Sequence, residues 1–167
     1  MIIALDVDGV LADLGTEWLR RYNLDYGDTL TNNDITEWGI HKFVKCGVKI
    51  YEYIEDPTLY DSVLPIENSL VAVSQMKQYA RVVFVTSSTV GAFGAKYGWL
   101  RCHGFLDNDR DYIECRDKSL VKANLLIDDY LENIKAFRGA SYLFSQPWNK
   151  STDYVRRIIN WEHFINN

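Results

Sequence analysis

LLIDDYLEN, residues 125–133, is the stretch on which the fold turns. An apolar run, residues 125–127, stops at two adjacent carboxylates, Asp128 and Asp129, and a helical pattern starts at Leu131. Continuous apolar runs, unlike alternating ones, suit strands covered on both faces. A strand of that kind running straight into a helix is half of a β-α-β unit. It also delivers two like charges to one spot. That is costly, through desolvation and mutual repulsion, unless something neutralises them.

The same rhythm extends along the chain. Residues 2–7, 81–86 (RVVFVT), 112–115 and 141–144 read as further strands. Residues 67–79 form a helix candidate with Leu70, Val73 and Met76 on one stripe. Residues 90–103 and 131–137 are others. Residues 152–164 read as a C-terminal helix, with Val155, Ile158 and Ile159 on one face. Alternation of this kind predicts an α/β fold, a Rossmann-like parallel sheet flanked by helices. Residues 14–65 break the rhythm, being far longer than a crossover connection requires. Their middle, residues 32–38, is polar and turn-like, and residues 42–54 are helical in pattern. The interval reads as a small helical cap inserted after the first strand, which leaves residues 1–13 and 66–167 as the core domain.

Composition narrows the function. The chain has 167 residues, 47% hydrophobic and 25% charged, as expected for one globular domain. A net charge of −5 argues against stable nucleic-acid binding, which needs many basic contacts, but leaves room for a small anionic substrate. Cys46, Cys102 and Cys115 lack metal or disulfide spacing and fit reduced thiols. The N-terminal apolar run is too short for a signal peptide or a membrane span and already carries Asp6. These features predict a cytoplasmic protein without a membrane partner.

Ligands bind beyond the carboxyl ends of the strands in an open parallel sheet. There the first strand delivers Asp6-Val7-Asp8-Gly9, the second Thr86-Ser87-Ser88, and the fourth Asp128-Asp129, with Lys118 shortly before it. So many carboxylates in one crevice call for a cation, and Mg²⁺ suits carboxylates joined by a phosphate oxygen and water. Taken singly, each motif has an ordinary structural role: a turn, a helix cap, a solvated lysine. The calcium-loop template does not fit Asp6–Val10, because Gly9 falls at its fourth position. Their order along the chain, each at or beside a strand end, is what points to chemistry.

That order resembles the haloacid dehalogenase superfamily of phosphohydrolases. DVDGVLAD (6–13) resembles its first motif, VVFVTSS (82–88) its second, Lys118 its third and LLIDD (125–129) its fourth. RDKSLVKANLLIDD (116–129), ITEW (35–38) and residues 50–66 are similar to the 5′(3′)-deoxyribonucleotidases, bacterial and phage types included. The resemblance implies that Asp6 is the nucleophile and Asp8 the general acid and base, with the Asp8 carbonyl also on Mg²⁺. It implies that Thr86 and Ser87 bind the phosphoryl group, with Ser88 beside them. It assigns Lys118 to the transition-state charge and Asp128 and Asp129 to Mg²⁺, Asp129 as the direct ligand. Leu14 stands where an aromatic residue near the base is usual, and Tyr130-Leu131 where Arg-Pro is usual, which puts the base preference in doubt.

The cap carries Trp38, Phe43, Tyr51, Tyr53 and Tyr60. Trp38, in the polar turn, is the expected base-stacking residue, and the others are expected in packing. Trp99, Trp148 and Trp161 are expected in the core. His41, His103 and His163 share no metal-ligand spacing. The leading expectation is a Mg²⁺-dependent phosphatase of (deoxy)nucleoside monophosphates. Its competitors are a phosphatase of another small ester, such as a sugar phosphate or a polynucleotide 3′-phosphate, and a non-catalytic nucleotide-binding module. Asp6, Asp8, Lys118, Asp128 and Asp129 are all retained, which weighs against the last. Related enzymes are often dimers, so a homodimer stays open.

Overall fold

The computed structural model describes residues 1–166. Six strands form one parallel sheet: β1 (Ile2–Leu5), β2 (Arg81–Thr86), β3 (Tyr112–Glu114), β4 (Leu125–Asp128), β5 (Ala140–Phe144) and β6 (Arg157–Ile158). Their order is β3-β2-β1-β4-β5-β6. The chain leaves β1 for β2 on one side and later returns to place β4 on the other. The topological switch point therefore lies at β1 and β4, where Leu5 pairs with Ile127.

The continuous apolar strands have their predicted cause. On one face Ile3, Leu5, Val82, Phe84 and Ile127 pack under α2 (Ser69–Tyr79), α3 (Phe93–Cys102) and α5 (Trp161–Asn166). On the other, Ala4, Val83, Val85, Leu126 and Leu143 pack under α4 (Leu131–Ala136). This is the α/β, Rossmann-like sheet with flanking helices that the sequence predicts.

Residues 14–65 hold α1 (Leu14–Tyr26) followed by 3₁₀ turns, the longest spanning Gly47–Glu55. The helical pattern at 42–54 is thus 3₁₀, not α. Leu19, Tyr22, Ile35, Val44 and Ile50 give this segment a small core of its own. Its two ends leave and rejoin the sheet side by side. Asp13 N donates to Leu64 O at 2.9 Å and Ile66 N to Leu11 O at 2.7 Å, around an Ala12–Pro65 bridge.

Three expectations fail. No helix spans 152–164. Arg157–Ile158 instead adds a sixth strand beside β5, with Leu143 N and Ser145 N donating to Arg156 O and Ile158 O at 2.9 Å. The spacing of Val155, Ile158 and Ile159 mimics a helix, but only Ile158 is buried, and Val155 is 95% exposed. Satisfying the open backbone edge of β5 outweighs the side-chain periodicity. In α2 the buried stripe is Ser69, Ala72, Val73 and Met76, while Leu70 is 40% exposed. A third helix begins later than expected, at Phe93 rather than residue 90, because residues 87–92 form a loop over the sheet's carboxyl edge.

Candidate active site

The carboxyl ends of β1, β2 and β4 open onto one cavity of about 470 Å³. Every site residue selected from sequence lines it except Asp128, which lies beneath. Asp6 follows β1 directly, and its N–H donates to Ile127 O at 2.9 Å, which fixes it against β4. Lys118, on a short 3₁₀ turn before β4, is 3% exposed and sits 2.6 Å from both Asp6 Oδ1 and Asp128 Oδ2. Asp128 also accepts from Asn133 Nδ2 at 3.0 Å and from Tyr130 N at 2.8 Å, the latter an Asx turn that leads into α4. Asp129 Oδ2 accepts from Trp148 Nε1 at 2.9 Å.

Carboxylate oxygens of Asp6, Asp128 and Asp129 lie within 4.8 Å of one another. Among the described residues this is the group of acidic, histidine or cysteine side chains close enough to share an ion, and the three histidines are elsewhere. The electrostatics record the strain of the arrangement. Burial, reinforced by Asp128 and Asp8 and opposed by Lys118, pushes the Asp6 carboxyl up to about 7. Burial, together with the charges of Asp128 and Asp6, raises Asp129 well above the carboxylate range. Burial alone would lower Lys118, but Asp6 and Asp128 outweigh it and hold the ammonium above the ordinary lysine range. One lysine thus serves a cluster of buried carboxylates, a deficit of positive charge that a divalent cation with hard oxygen ligands would fill.

Gly9 makes this approach feasible. Its φ is +74°, and a Cβ there would come within 2.5 Å of Asp129 Oδ2 and 3.2 Å of the Trp148 ring. Both the backbone conformation and the space require glycine.

Asp8, two residues beyond Asp6, is held by other groups. Lys96 Nζ on α3 contacts Asp8 Oδ2 at 2.5 Å, and the Tyr60 hydroxyl donates to Asp8 Oδ1 at 2.6 Å. Lys96 also donates to Ser87 O at 2.7 Å and to Thr86 Oγ1 at 3.2 Å, joining the ends of β1 and β2. Ser87 and Ser88 lie on the cavity wall, but both donors of Ser88, its N–H and its hydroxyl, go to Glu114. Above them, Leu14, Trp18, Trp38, Tyr51 and Tyr130 make an apolar wall. Trp38, half exposed, stacks on Tyr130 with ring centroids 4.1 Å apart, so segment 14–65 meets the loop after β4 across the cavity mouth.

Sequence reasoning missed three of these residues. Lys96 lies mid-helix with no motif to distinguish it, and a charged residue buried to 4% exposure is visible only in three dimensions. Tyr60, read as packing, is buried as expected but its hydroxyl holds Asp8. Trp148, placed in the core, is only partly buried and instead reaches Asp129. No signal in the sequence marks any of the three.

The family model described as 5′ nucleotidase, deoxy (Pyrimidine), cytosolic type C protein matches residues 1–166. A 5′(3′)-deoxyribonucleotidase of Bacillus subtilis is 30% identical over 163 residues, covering 96% of this chain and 94% of the relative. A 5′(3′)-deoxyribonucleotidase of Clostridium acetobutylicum is 29% identical over 161 residues, covering 95% and 89%. Among solved structures, the HAD-hydrolase YfnB of Bacillus subtilis, bound to magnesium, aligns with TM-score 0.63 at 15% identity, covering 99% of this chain and 96% of that one. A HAD family hydrolase of Deinococcus radiodurans with bound phosphate and sodium aligns with TM-score 0.64 at 13% identity, covering 98% and 92%. At those identities the two structures speak to the fold. No helix among the described residues is long and apolar enough to cross a membrane.

Proposed function

We infer the function from one premise: this chain belongs to the cytosolic type C deoxy(pyrimidine) 5′ nucleotidase family. It is a phosphoric monoester hydrolase. The finer reading is hydrolysis of (deoxy)nucleoside monophosphates, with pyrimidine bases favoured, through an aspartyl-phosphate intermediate. One observation carries it. A buried carboxylate, Asp6, lies 2.6 Å from Lys118 at the floor of a cavity whose upper wall is aromatic. The floor suits a phosphoryl group and the wall suits a flat base.

The donor set fits Mg²⁺. Its three carboxylates are hard oxygen ligands gathered within 4.8 Å, and their burial leaves negative charge uncompensated. Asp6 and Asp129, both facing the cavity, are the direct carboxylate ligands. Asp128, whose oxygens are taken by Lys118, Asn133 and Tyr130 N, acts from behind by orienting Lys118. When bound, Mg²⁺ supplies charge stabilisation to the phosphoryl oxygens and keeps the carboxylates ionised.

In the first step a carboxylate oxygen of Asp6 forms a bond to phosphorus and the ester P–O bond breaks. Asp8 gives its proton to the departing alkoxide. In the second step Asp8 takes a proton from water, the resulting hydroxide attacks phosphorus, and the Asp6–P bond breaks to release phosphate. Lys118 and the hydroxyl of Thr86, with the Ser87 N–H, stabilise charge on the equatorial oxygens. Segment 14–65 acts as the cap. It excludes water while the intermediate exists, and it presents Trp38 to the base.

The test is a phosphate-release panel with Mg²⁺, covering deoxy- and ribonucleoside 5′- and 3′-monophosphates and sugar phosphates. The reading expects a deoxynucleotide to give the highest kcat/KM and chelation by EDTA to abolish turnover. If a sugar phosphate outranks every nucleotide, the nucleotidase reading is wrong.

A further inference from the structure

The loop after β2, Ser87-Ser88-Thr89-Val90-Gly91, carries the groups that meet phosphate, and its later part closes in a turn with Ala92 N donating to Thr89 O at 3.2 Å. Its other anchors come from outside. Lys96 holds the Ser87 carbonyl, and Thr89 Oγ1 donates to Ile54 O of the inserted segment at 3.0 Å. Between them Glu114 holds Ser88. Glu114 ends β3 in register with Thr86, so its side chain rises on the same face of the sheet edge. One carboxylate oxygen accepts the Ser88 N–H, and the other accepts the Ser88 hydroxyl at 3.0 Å and the Tyr112 hydroxyl at 2.8 Å.

Of the three anchors, Glu114 is the informative one. Lys96 also touches Asp8, and the Thr89 anchor moves with the inserted segment. Glu114 contacts neither Asp6, Asp8 nor Lys118, and does not line the cavity. We propose that Glu114 is a positioning residue for phosphate: by taking up both donors of Ser88, it turns the loop so that Thr86 and Ser87, and not Ser88, face the phosphoryl group above Asp6. This rests on the phosphatase reading above. A carboxylate is apt, because the two donors of one residue need two acceptor oxygens, and bonds to an ionised group are the stronger kind. Without Glu114, the Ser88 N–H and hydroxyl are released next to an anion site and compete for the phosphate with the wrong geometry.

The test uses the whole protein with Mg²⁺ and inorganic phosphate as the probe. Phosphate affinity is measured by calorimetry and as the inhibition constant against a deoxynucleoside 5′-monophosphate. E114A is expected to weaken phosphate binding and raise KM by ~10-fold or more, the scale of a displaced substrate-positioning group. Half-saturation by Mg²⁺ stays unchanged. E114Q, which keeps an acceptor for the Ser88 N–H, restores most of the loss. S88A, which keeps the Ser88 N–H on Glu114 and deletes only the hydroxyl, weakens phosphate binding less than E114A and adds nothing to it, because the hydroxyl acts through Glu114. A folded E114A with wild-type phosphate affinity overturns the proposal, as does an S88A effect that is additive with E114A. If E114A does not fold, E114D decides: a carboxylate one methylene shorter cannot reach both Ser88 donors, so wild-type phosphate affinity in E114D overturns the proposal and weakened affinity supports it. Calorimetry separates this from the parent reading. A wild-type protein that turns over no monoester, yet binds phosphate in a manner dependent on Glu114, would sink the phosphatase reading and leave this inference standing.

Discussion

Replacing Asp6 by asparagine should abolish turnover and, in the absence of metal, make the protein more stable. Asparagine has the shape of the aspartate and still accepts a hydrogen bond from Lys118, but carries no charge. Burial raises the Asp6 carboxyl from the usual 3.8 to about 7. Above pH 7 both folded and unfolded chains hold it ionised, and only the folded chain bears the cost. At about 1.4 kcal/mol per pH unit, that rise corresponds to about 4 kcal/mol as a ceiling. The sign follows from linkage. A folded pKa above the unfolded one gives stability that is present in full below about pH 4 and lost as pH climbs to about 7. D6N removes that loss. Urea unfolding followed by tryptophan fluorescence, in EDTA at pH 5 and pH 8, measures it. D6N should exceed the wild type at pH 8 by up to about 4 kcal/mol, and by less than half as much at pH 5. Saturating Mg²⁺ should narrow the gap by stabilising the wild type more, about 2.7 kcal/mol at a hundredfold excess over Kd. A D6N protein no more stable than wild type at pH 8, or an advantage independent of pH, would refute the charge-deficit argument. Residual turnover within tenfold of wild type would refute the role of Asp6 as nucleophile.

Three further outcomes follow from the same geometry. Trp148→Phe removes the hydrogen bond to Asp129 Oδ2 and should raise the Mg²⁺ concentration for half-maximal activity by ~10-fold, an outer-shell effect, with kcat at saturation little changed; calorimetric titration of Mg²⁺ checks it. Trp38→Ala should raise KM for nucleoside monophosphates by ~10-fold, about 1.4 kcal/mol, while leaving esters without a base, such as glycerol phosphate, unaffected; equal effects on both would remove Trp38 from base recognition. Gly91→Ala places a Cβ against the Glu55 carbonyl oxygen, so it should push segment 14–65 off the phosphate loop and lower kcat/KM at least tenfold; wild-type kinetics in that variant would show that the two need not touch.

The sheet and most of the cavity floor were legible because each rests on local pattern. Apolar runs marked β1, β2, β4 and β5, and chemistry-bearing residues followed β1, β2 and β4 at the edge where parallel sheets bind ligands. What was not legible depends on distant partners. Lys96 is an ordinary helical lysine until β1 places Asp8 beside it. Tyr60 and Trp148 have the composition of core residues, and only tertiary contact shows that their polar tips reach carboxylates. The C-terminal stretch misled because Val155, Ile158 and Ile159 keep helical spacing, while the unpaired edge of β5, which no window of sequence reveals, claims Arg157 and Ile158 as a strand. Glu114 belongs to the same class. It is one acidic residue among many, and its meaning comes from standing opposite Thr86 on the next strand.

The side-by-side exit and re-entry at Ala12 and Pro65 has a consequence for this protein's history. With both stems tied together, whatever lies between them adds only a slowly growing entropic burden as it lengthens, and exerts no pull on the strands below. The segment can therefore change in length without disturbing the sheet, but an exchange of the whole segment would also remove Tyr60, whose hydroxyl holds Asp8.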